Sequence, residues 1–174
     1  MQGRKLGTEF VHLHNHSDYS LLDGAQPIKQ MVDRTTKLGM NSIALTDHGN
    51  MFGAVDFYLQ CEKKGINPII GMEAYIVGKG SRMHKGVAQE HRQKTFHIIL
   101  LCKNLTGYKN LMKLSSTSYL DGFYYKPRMD KEVLREHSEG LIGLSACLNG
   151  EITSLRLNGK DLDAQKVVEE HLDI

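Results

Sequence analysis

Paired cysteine motifs, long apolar runs and a strong charge bias are all missing from this chain of 174 residues. Its three cysteines, Cys61, Cys102 and Cys147, are odd in number and widely spaced, with no CxxC pair. That argues against structural disulfides and fits a reducing cytosol. Residues 1–9 are polar where a signal peptide would carry an apolar core. No apolar run approaches the roughly 20 residues needed to span a bilayer. Net charge is only +2, too mild to argue nucleic-acid binding by itself. Internal repeats and low-complexity linkers are absent as well. The expectation is a cytoplasmic protein without membrane contact. With 40% hydrophobic and 24% charged residues, its length suits one domain with a genuine core.

What is present is an alternation of strand-like and helix-like patterns. Strands are predicted at residues 10–13, 41–46, Asn67–Val77, Thr95–Cys102 and 140–146. A first helix opens at Pro27, carries Ile28, Met31, Val32 and Leu38 at helical spacing, and stops at Gly39. A second covers Ala54–Lys64, with Val55, Tyr58 and Leu59 as its expected apolar face and Gly65 as its end. Further helices are predicted at 106–119, 130–136, 150–157 and 162–172. Strands separated by helices imply βαβ units, and near-continuous apolar strands imply a parallel sheet covered on both faces. One composition shift stands out. Residues 78–94 carry Lys79, Arg82, Lys85, Arg92 and Lys94 against the single acid Glu90, the pattern of a solvated loop.

Histidines alternate in Phe10-Val11-His12-Leu13-His14-Asn15-His16-Ser17-Asp18, with Leu22-Asp23-Gly24 close behind. On an extended backbone, side chains two apart share a side. His14 and His16 could therefore face one metal ion, with Asp18 or Asp23 supplying oxygen and His12 in the same row. Alone, this motif reads equally well as a solvated, histidine-rich turn. In parallel α/β folds, however, functional groups gather beyond the carboxyl ends of strands. The second strand ends in Thr46-Asp47-His48-Gly49-Asn50, the third holds Gly71-Met72-Glu73, the fourth carries His97, and the fifth ends in Ser145-Ala146-Cys147. Singly, His97 reads as a core histidine, Glu73 as a paired carboxylate and Cys147 as a small buried residue. Jointly, His14, His16, Asp23, His48, Glu73, His97 and Cys147 supply potential ligands from successive strands, as a multinuclear site requires. Imidazole and carboxylate suit zinc, manganese or iron, and one thiolate favours zinc. His97 lies early in its strand, against the rule.

Longer segments carry a resemblance. They include Phe10-Val11-His12-Leu13-His14 with Tyr19-Ser20-Leu21-Leu22-Asp23-Gly24, Ala44-Leu45-Thr46-Asp47-His48-Gly49-Asn50-Met51-Phe52-Gly53, and Pro68-Ile69-Ile70-Gly71-Met72-Glu73-Ala74-Tyr75. Gly122-Phe123-Tyr124-Tyr125-Lys126-Pro127-Arg128 and Gly143-Leu144-Ser145-Ala146-Cys147-Leu148-Asn149-Gly150-Glu151-Ile152 continue it. From Phe10 to about Ile152 the chain resembles the PHP (polymerase and histidinol phosphatase) domain, in the form that opens bacterial DNA polymerase III alpha subunits. The resemblance implies an α/β fold, a distorted (β/α)7 barrel of which residues 1–174 supply a part. The last strands and a final Asp-x-His ligand pair would follow Ile174 in a longer polymerase. It implies two or three divalent ions on the same seven ligands, with His12 outside them. Some relatives have lost ligands, whereas this chain keeps every one it reaches. In a Gram-positive relative an exonuclease domain interrupts the fold where the 78–94 loop stands here.

The implied chemistry is metal-assisted phosphodiester hydrolysis, as a 3′–5′ proofreading exonuclease acting through metal held by His14, His16, Asp23 and Glu73. Primer extension would lie in domains beyond this chain. Implied partners are DNA, as primer-template and single-stranded 3′ end, together with a sliding clamp, a clamp loader and a proofreading subunit. Tyr124, Lys126 and Arg128, beside Tyr125, form an expected base-and-phosphate platform, with Lys79 and Arg82 as further DNA contacts. Two other readings remain: a structural metal module that docks a proofreading subunit, and a free-standing PHP phosphatase for a small phosphomonoester.

Overall fold

The computed structural model describes residues 10–21, 23–85 and 94–174. Along the chain run α1 (Ile28–Lys37), β1 (Ser42–Leu45), α2 (Ala54–Lys64), β2 (Asn67–Val77), β3 (Thr95–Cys102), α3 (Leu105–Leu120), β4 (Arg128–Met129), α4 (Lys131–Glu136), β5 (Leu141–Leu144), α5 (Glu151–Leu157) and α6 (Asp161–Leu172). Local chemistry accounts for the boundaries. Gly39 and Gly65 end α1 and α2 in the left-handed region, at φ +73° and +66°. The Asn104 side chain accepts from Gly107 N–H at the start of α3, and Asp130 accepts from Val133 N–H at the start of α4. Residues 10–13, predicted as a strand, form none. They pass beside β1, where Ala44 N–H donates to the His12 carbonyl at 2.9 Å and Thr46 N–H to that of Asn15 at 2.9 Å.

The strand order is β1-β2-β3-β5, with β4 also on β2. The expected parallel sheet is in fact mixed. β1 and β4 run parallel to β2, whereas β3 is antiparallel to both β2 and β5. Val77 pairs with Thr95, and Gly78 N–H reaches the Lys94 carbonyl at 3.4 Å, so β2 and β3 form one long hairpin. A parallel return would need a covering crossover, usually helical. The lysine- and glycine-bearing segment 78–94 has no apolar helical period to supply one.

The hairpin divides the molecule. One face presents Met72, Ala74, Ile76, Phe96, Ile98 and Leu100 to Leu111 and Leu114 of α3 and to Met129, Val133 and Leu134. A second cluster packs α1 and α2 on β1 through Met31, Val32, Ile43, Leu45, Phe57 and Cys61. The α2 face is the reverse of the expected one. Ala54, Phe57 and Cys61 are buried, while Val55, Tyr58 and Leu59 are exposed, Val55 by 64%. Both sides of this helix are apolar, so α1 and β1, not the pattern, choose which is covered. Coverage of both sheet faces also fails at β5, where Ile142 and Gly143 are exposed.

Candidate metal centre

The antiparallel turn of β3 removes the difficulty over His97. Because β3 runs opposite to β2, its amino end lies beside the carboxyl end of β2, and His97 pairs directly with Tyr75. β5, antiparallel to β3, delivers its carboxyl end to the same place. The loop after β1 is zipped onto β2 by Glu73 N–H to the Asp47 carbonyl (3.1 Å) and Gly49 N–H to the Glu73 carbonyl (2.8 Å). His97 N–H donates to the Asn149 carbonyl at 3.0 Å, tying the segment after β5 to β3. Every predicted ligand thus reaches one end of the sheet.

Glu73 is the centre, with 1% of its surface exposed. Its Oε2 lies 3.0 Å from His14 Nε2, 3.0 Å from His16 Nε2 and 3.1 Å from His48 Nδ1. Its Oε1 lies 2.7 Å from His97 Nδ1 and 3.7 Å from Cys147 Sγ. His48 Nε2 is 2.8 Å from Asp23 Oδ2, and Cys147 Sγ is 3.8 Å from His97 Nδ1. All seven predicted ligands therefore converge. Two sets, His14–His16–Glu73 and His48–Glu73–His97, each bring their donor atoms within 4.8 Å of one another. Glu73 belongs to both. His12 stays outside, exposed and edge-on to Phe10 at 4.8 Å.

Hydrogen bonding alone leaves this cluster unsatisfied. Nδ1 of His16 and Nδ1 of His48 are buried without a hydrogen-bond partner, the latter misaligned on Glu73 despite its short distance. Native interiors rarely tolerate such orphans. Burial would push the Glu73 carboxyl up, yet hydrogen bonds from His16, His97 and His14 and the charge of His48 hold it well below the usual carboxylate range. Burial would lower His16, and Glu73 outweighs that and raises it. The carboxyl is thus held in its ionised form, the form in which a carboxylate ligates a metal. Nitrogen, oxygen and sulfur donors gathered in this way fit a divalent metal ion.

A layer behind the ligands holds them, and its members were not singled out from the sequence. Asp47, 1% exposed, accepts from Ser17 N–H (2.6 Å), Ser17 Oγ (2.7 Å) and Ser20 Oγ (2.8 Å). The Ser20 hydroxyl in turn accepts from His48 N–H at 3.1 Å. Thr46 Oγ1 accepts from Asn15 N–H at 2.9 Å, fixing the residue between His14 and His16. The available signal was the acid beside His48, which resembles a ligand yet turns inward. On the other side, Ala146 sits at φ +60°, a strained setting for a residue with a side chain, just before Cys147.

The model of the PHP domain matches residues 12–174. This chain belongs to the PHP domain family. It is 56% identical over 143 residues to a Helicobacter pylori DNA polymerase III subunit alpha, covering 82% of this chain and 11% of that protein. The Borreliella burgdorferi DNA polymerase III subunit alpha is 50% identical over 161 residues, covering 92% of this chain and 14% of the relative. The PHP chain thus spans only about a tenth to a seventh of the length of these relatives. A solved structure from Bifidobacterium adolescentis, a candidate metal-dependent phosphoesterase, superposes on 64% of this chain and 34% of its own, at 16% identity and a TM-score of 0.43.

The predicted DNA-contacting residues of this PHP chain divide. Arg128, 2% exposed, is not a surface cation. Its guanidinium donates to the carbonyls of Gly122 (3.0 Å), Arg82 (2.7 Å) and His84 (3.1 Å), organising the loops around it. Arg82 is likewise committed, its Nη1 lying 3.1 Å from both Asp130 carboxylate oxygens. β4 places Arg128 beside Tyr75, and that pairing turns the chain inward. Lys79 is exposed and lines a separate cavity of about 780 Å³ that includes none of the seven ligands. Arg92 and Glu90 of the same loop lie outside the described residues, as does Leu22. Tyr124 is half-buried, with the Arg128 guanidinium 5.3 Å from its ring. Lys126 remains exposed, its ammonium 4.3 Å from the Tyr75 ring, which itself stands edge-on to His97 at 5.1 Å.

Proposed function

We propose that this PHP chain is the amino-terminal part of a bacterial replicative DNA polymerase alpha subunit, and that its cluster hydrolyses phosphodiester bonds at DNA 3′ ends. The observation that carries this is Glu73, buried beneath four imidazoles and a thiol. The kinship with polymerase alpha subunits supplies the context. In this reading residues 1–174 are an incomplete PHP domain, and further strands with an Asp-x-His pair complete it.

Zinc is the favoured ion, with manganese or iron as alternatives, in a site for two or three. His14, His16 and Glu73 would hold one ion, and His48, His97 and Cys147, with Asp23 beside His48, would hold the next. Bound there, divalent ions supply positive charge to a scissile phosphate and acidity to water. The chain's own part is placement: Glu73 fixes the spacing of the two ligand sets, Asp47 holds the Ser17–Ser20 turn, and Asp23 orients His48. Partners are then DNA and the other replicase subunits, namely clamp, clamp loader and proofreading subunit, in the cytoplasm. Among the described residues no helix is long and apolar enough to cross a membrane.

A second reading, a structural metal module that docks a partner subunit, is favoured by the exposed Val55, Tyr58 and Leu59 of α2. The 50–56% identity to DNA polymerase III alpha subunits speaks against the phosphatase reading. Excision of a mismatched primer end by the full-length protein separates these readings. His14→Ala with His16→Ala should abolish excision and leave polymerisation intact. Unchanged excision would sink the hydrolytic reading; a wild type that excises nothing, with metal and thermal stability lost in the double variant, would favour the structural one.

A further inference from the structure

The open side of the metal cluster is a cavity of about 460 Å³. The buried Tyr75 and the half-buried His48 and His97 line its inner part, and the exposed Asp23, Phe52, Tyr119 and Tyr125 line its mouth. Lys126 is the one lysine or arginine lining it among the described residues. Phe52 is 67% exposed and Tyr119 38%, with ring centroids 6.3 Å apart, and Phe123 stacks behind Tyr119 at 6.1 Å. Aromatic surface this exposed is costly in water unless something covers it.

Lys126 is held in place by its surroundings. Tyr125 before it adopts φ +61°, a left-handed setting that costs a tyrosine energy. Tyr124 N–H bonds to the Lys126 carbonyl at 3.1 Å, closing a tight turn. Pro127 packs on the turn after His48, where a Cβ on Gly49 (φ +63°) would come within 2.8 Å of the proline Cγ. The ammonium rests over Tyr75 and pairs with no carboxylate among the described residues. A strained turn thus carries a cation that has no carboxylate partner among the described residues, at the mouth of a site built from candidate metal ligands.

We infer that this mouth is a subsite for one unpaired nucleotide at the end of a strand, with Lys126 on its phosphate and Phe52 and Tyr119 as a shelf for its base. The inference rests on the phosphodiester reading and names the substrate that the same site takes. The cavity is of single-nucleotide scale, within the range of ordinary ligand pockets. Aromatic faces accept any base, so the shelf selects for an unstacked end and not for sequence. A paired terminal base is held by its partner and by the stack beneath it and must break both to enter, so a frayed mismatch enters more readily than a sound duplex end. The shelf consists of the exposed Phe52 and Tyr119, in place of the buried Arg128 and the half-buried Tyr124.

The test is binding, read without turnover. Equilibrium dialysis of the metal-loaded full-length protein measures thymidine 5′-monophosphate, inorganic phosphate and the tetramer of thymidylate. Lys126→Ala should weaken thymidine monophosphate and phosphate alike, by roughly tenfold, with Lys126→Arg recovering most of it. Phe52→Ala and Tyr119→Ala should weaken thymidine monophosphate by roughly 5- to 150-fold and leave phosphate unchanged, and Tyr119→Phe should bind as the wild type does. The tetramer should bind more tightly than the monomer and show the same variant pattern. Unchanged nucleotide binding in both Phe52→Ala and Tyr119→Ala overturns the shelf, as does an equal loss of phosphate. A monomer that binds as tightly as the tetramer overturns the strand end. Shelf-dependent binding without any ester hydrolysis would instead retire the catalytic reading and leave this subsite standing.

Discussion

Glu73 touches all four cluster histidines and approaches Cys147, so its charge and not its bulk should decide whether the site holds metal. Glu73→Gln preserves the shape and removes the charge. The expected outcome is at least a 100-fold loss of metal affinity, roughly, measured by competition with a chromogenic chelator. Asp47 offers a subtler case. It accepts three hydrogen bonds, two from serine hydroxyls and one from a backbone N–H. Asp47→Asn turns one acceptor into a donor facing donors, and metal affinity should fall roughly 10- to 100-fold with the ligands untouched. The cysteines give a pH-dependent signature. Burial pushes the Cys61 and Cys102 thiols up to about 11. At pH 8 only about one such thiol in a thousand is a thiolate, so iodoacetamide should take Cys147 first. Raising the pH toward 11 should bring in Cys102, with Cys61 lagging because it is fully buried. Prior addition of zinc should protect Cys147, as peptide mapping would record.

Elements were largely legible because their signals are local. Apolar runs marked β2 and β3 to the residue, and Gly65 and Asp130 marked helix ends. Strand direction is not local. The run Thr95–Cys102 is equally apolar in either sense, and only its hydrogen-bonded register on β2 shows that the chain reverses. The face of α2 is undetermined in the same way, since apolar residues occupy both sides. Close approach between elements shows where one residue decides the packing. A Cβ on Gly107 in the first turn of α3 would lie 1.8 Å from the Gly140 carbonyl oxygen, a backbone atom at the entry to β5. Gly107→Ala should therefore force α3 and the β5 approach apart and cost about 3 kcal/mol, seen as a lower urea midpoint with an unchanged slope.

At the scale of the whole molecule, the cluster joins segments that are otherwise loosely connected. His14 and His16 lie on a stretch without regular structure, His48 follows β1, and Cys147 follows the half-covered β5. Ions bound to the folded chain and not to the unfolded one would add about 2.7 kcal/mol at a hundredfold excess over Kd. For a domain of this size that corresponds to roughly 5–10 °C in Tm. Chelation should lower the melting temperature by that amount, and the Glu73→Gln variant should melt at the chelated temperature with or without added zinc. A wild-type Tm indifferent to chelator would argue that the cluster holds itself together by hydrogen bonds.

The sequence by itself determined which chemistry is on offer: imidazoles, carboxylates and a thiol near strand ends, in motifs that resemble PHP domains. Residue type and local periodicity are properties of short segments, and they survive without knowledge of neighbours. Tertiary structure alone decided that β3 runs backwards, which brings His97 to Glu73, and that Asp47 faces serines and not an ion. It also turned Arg128 inward onto three carbonyls and left Lys126 outside. Those outcomes depend on which partner buries which face, and burial energy is shared between segments far apart in the chain.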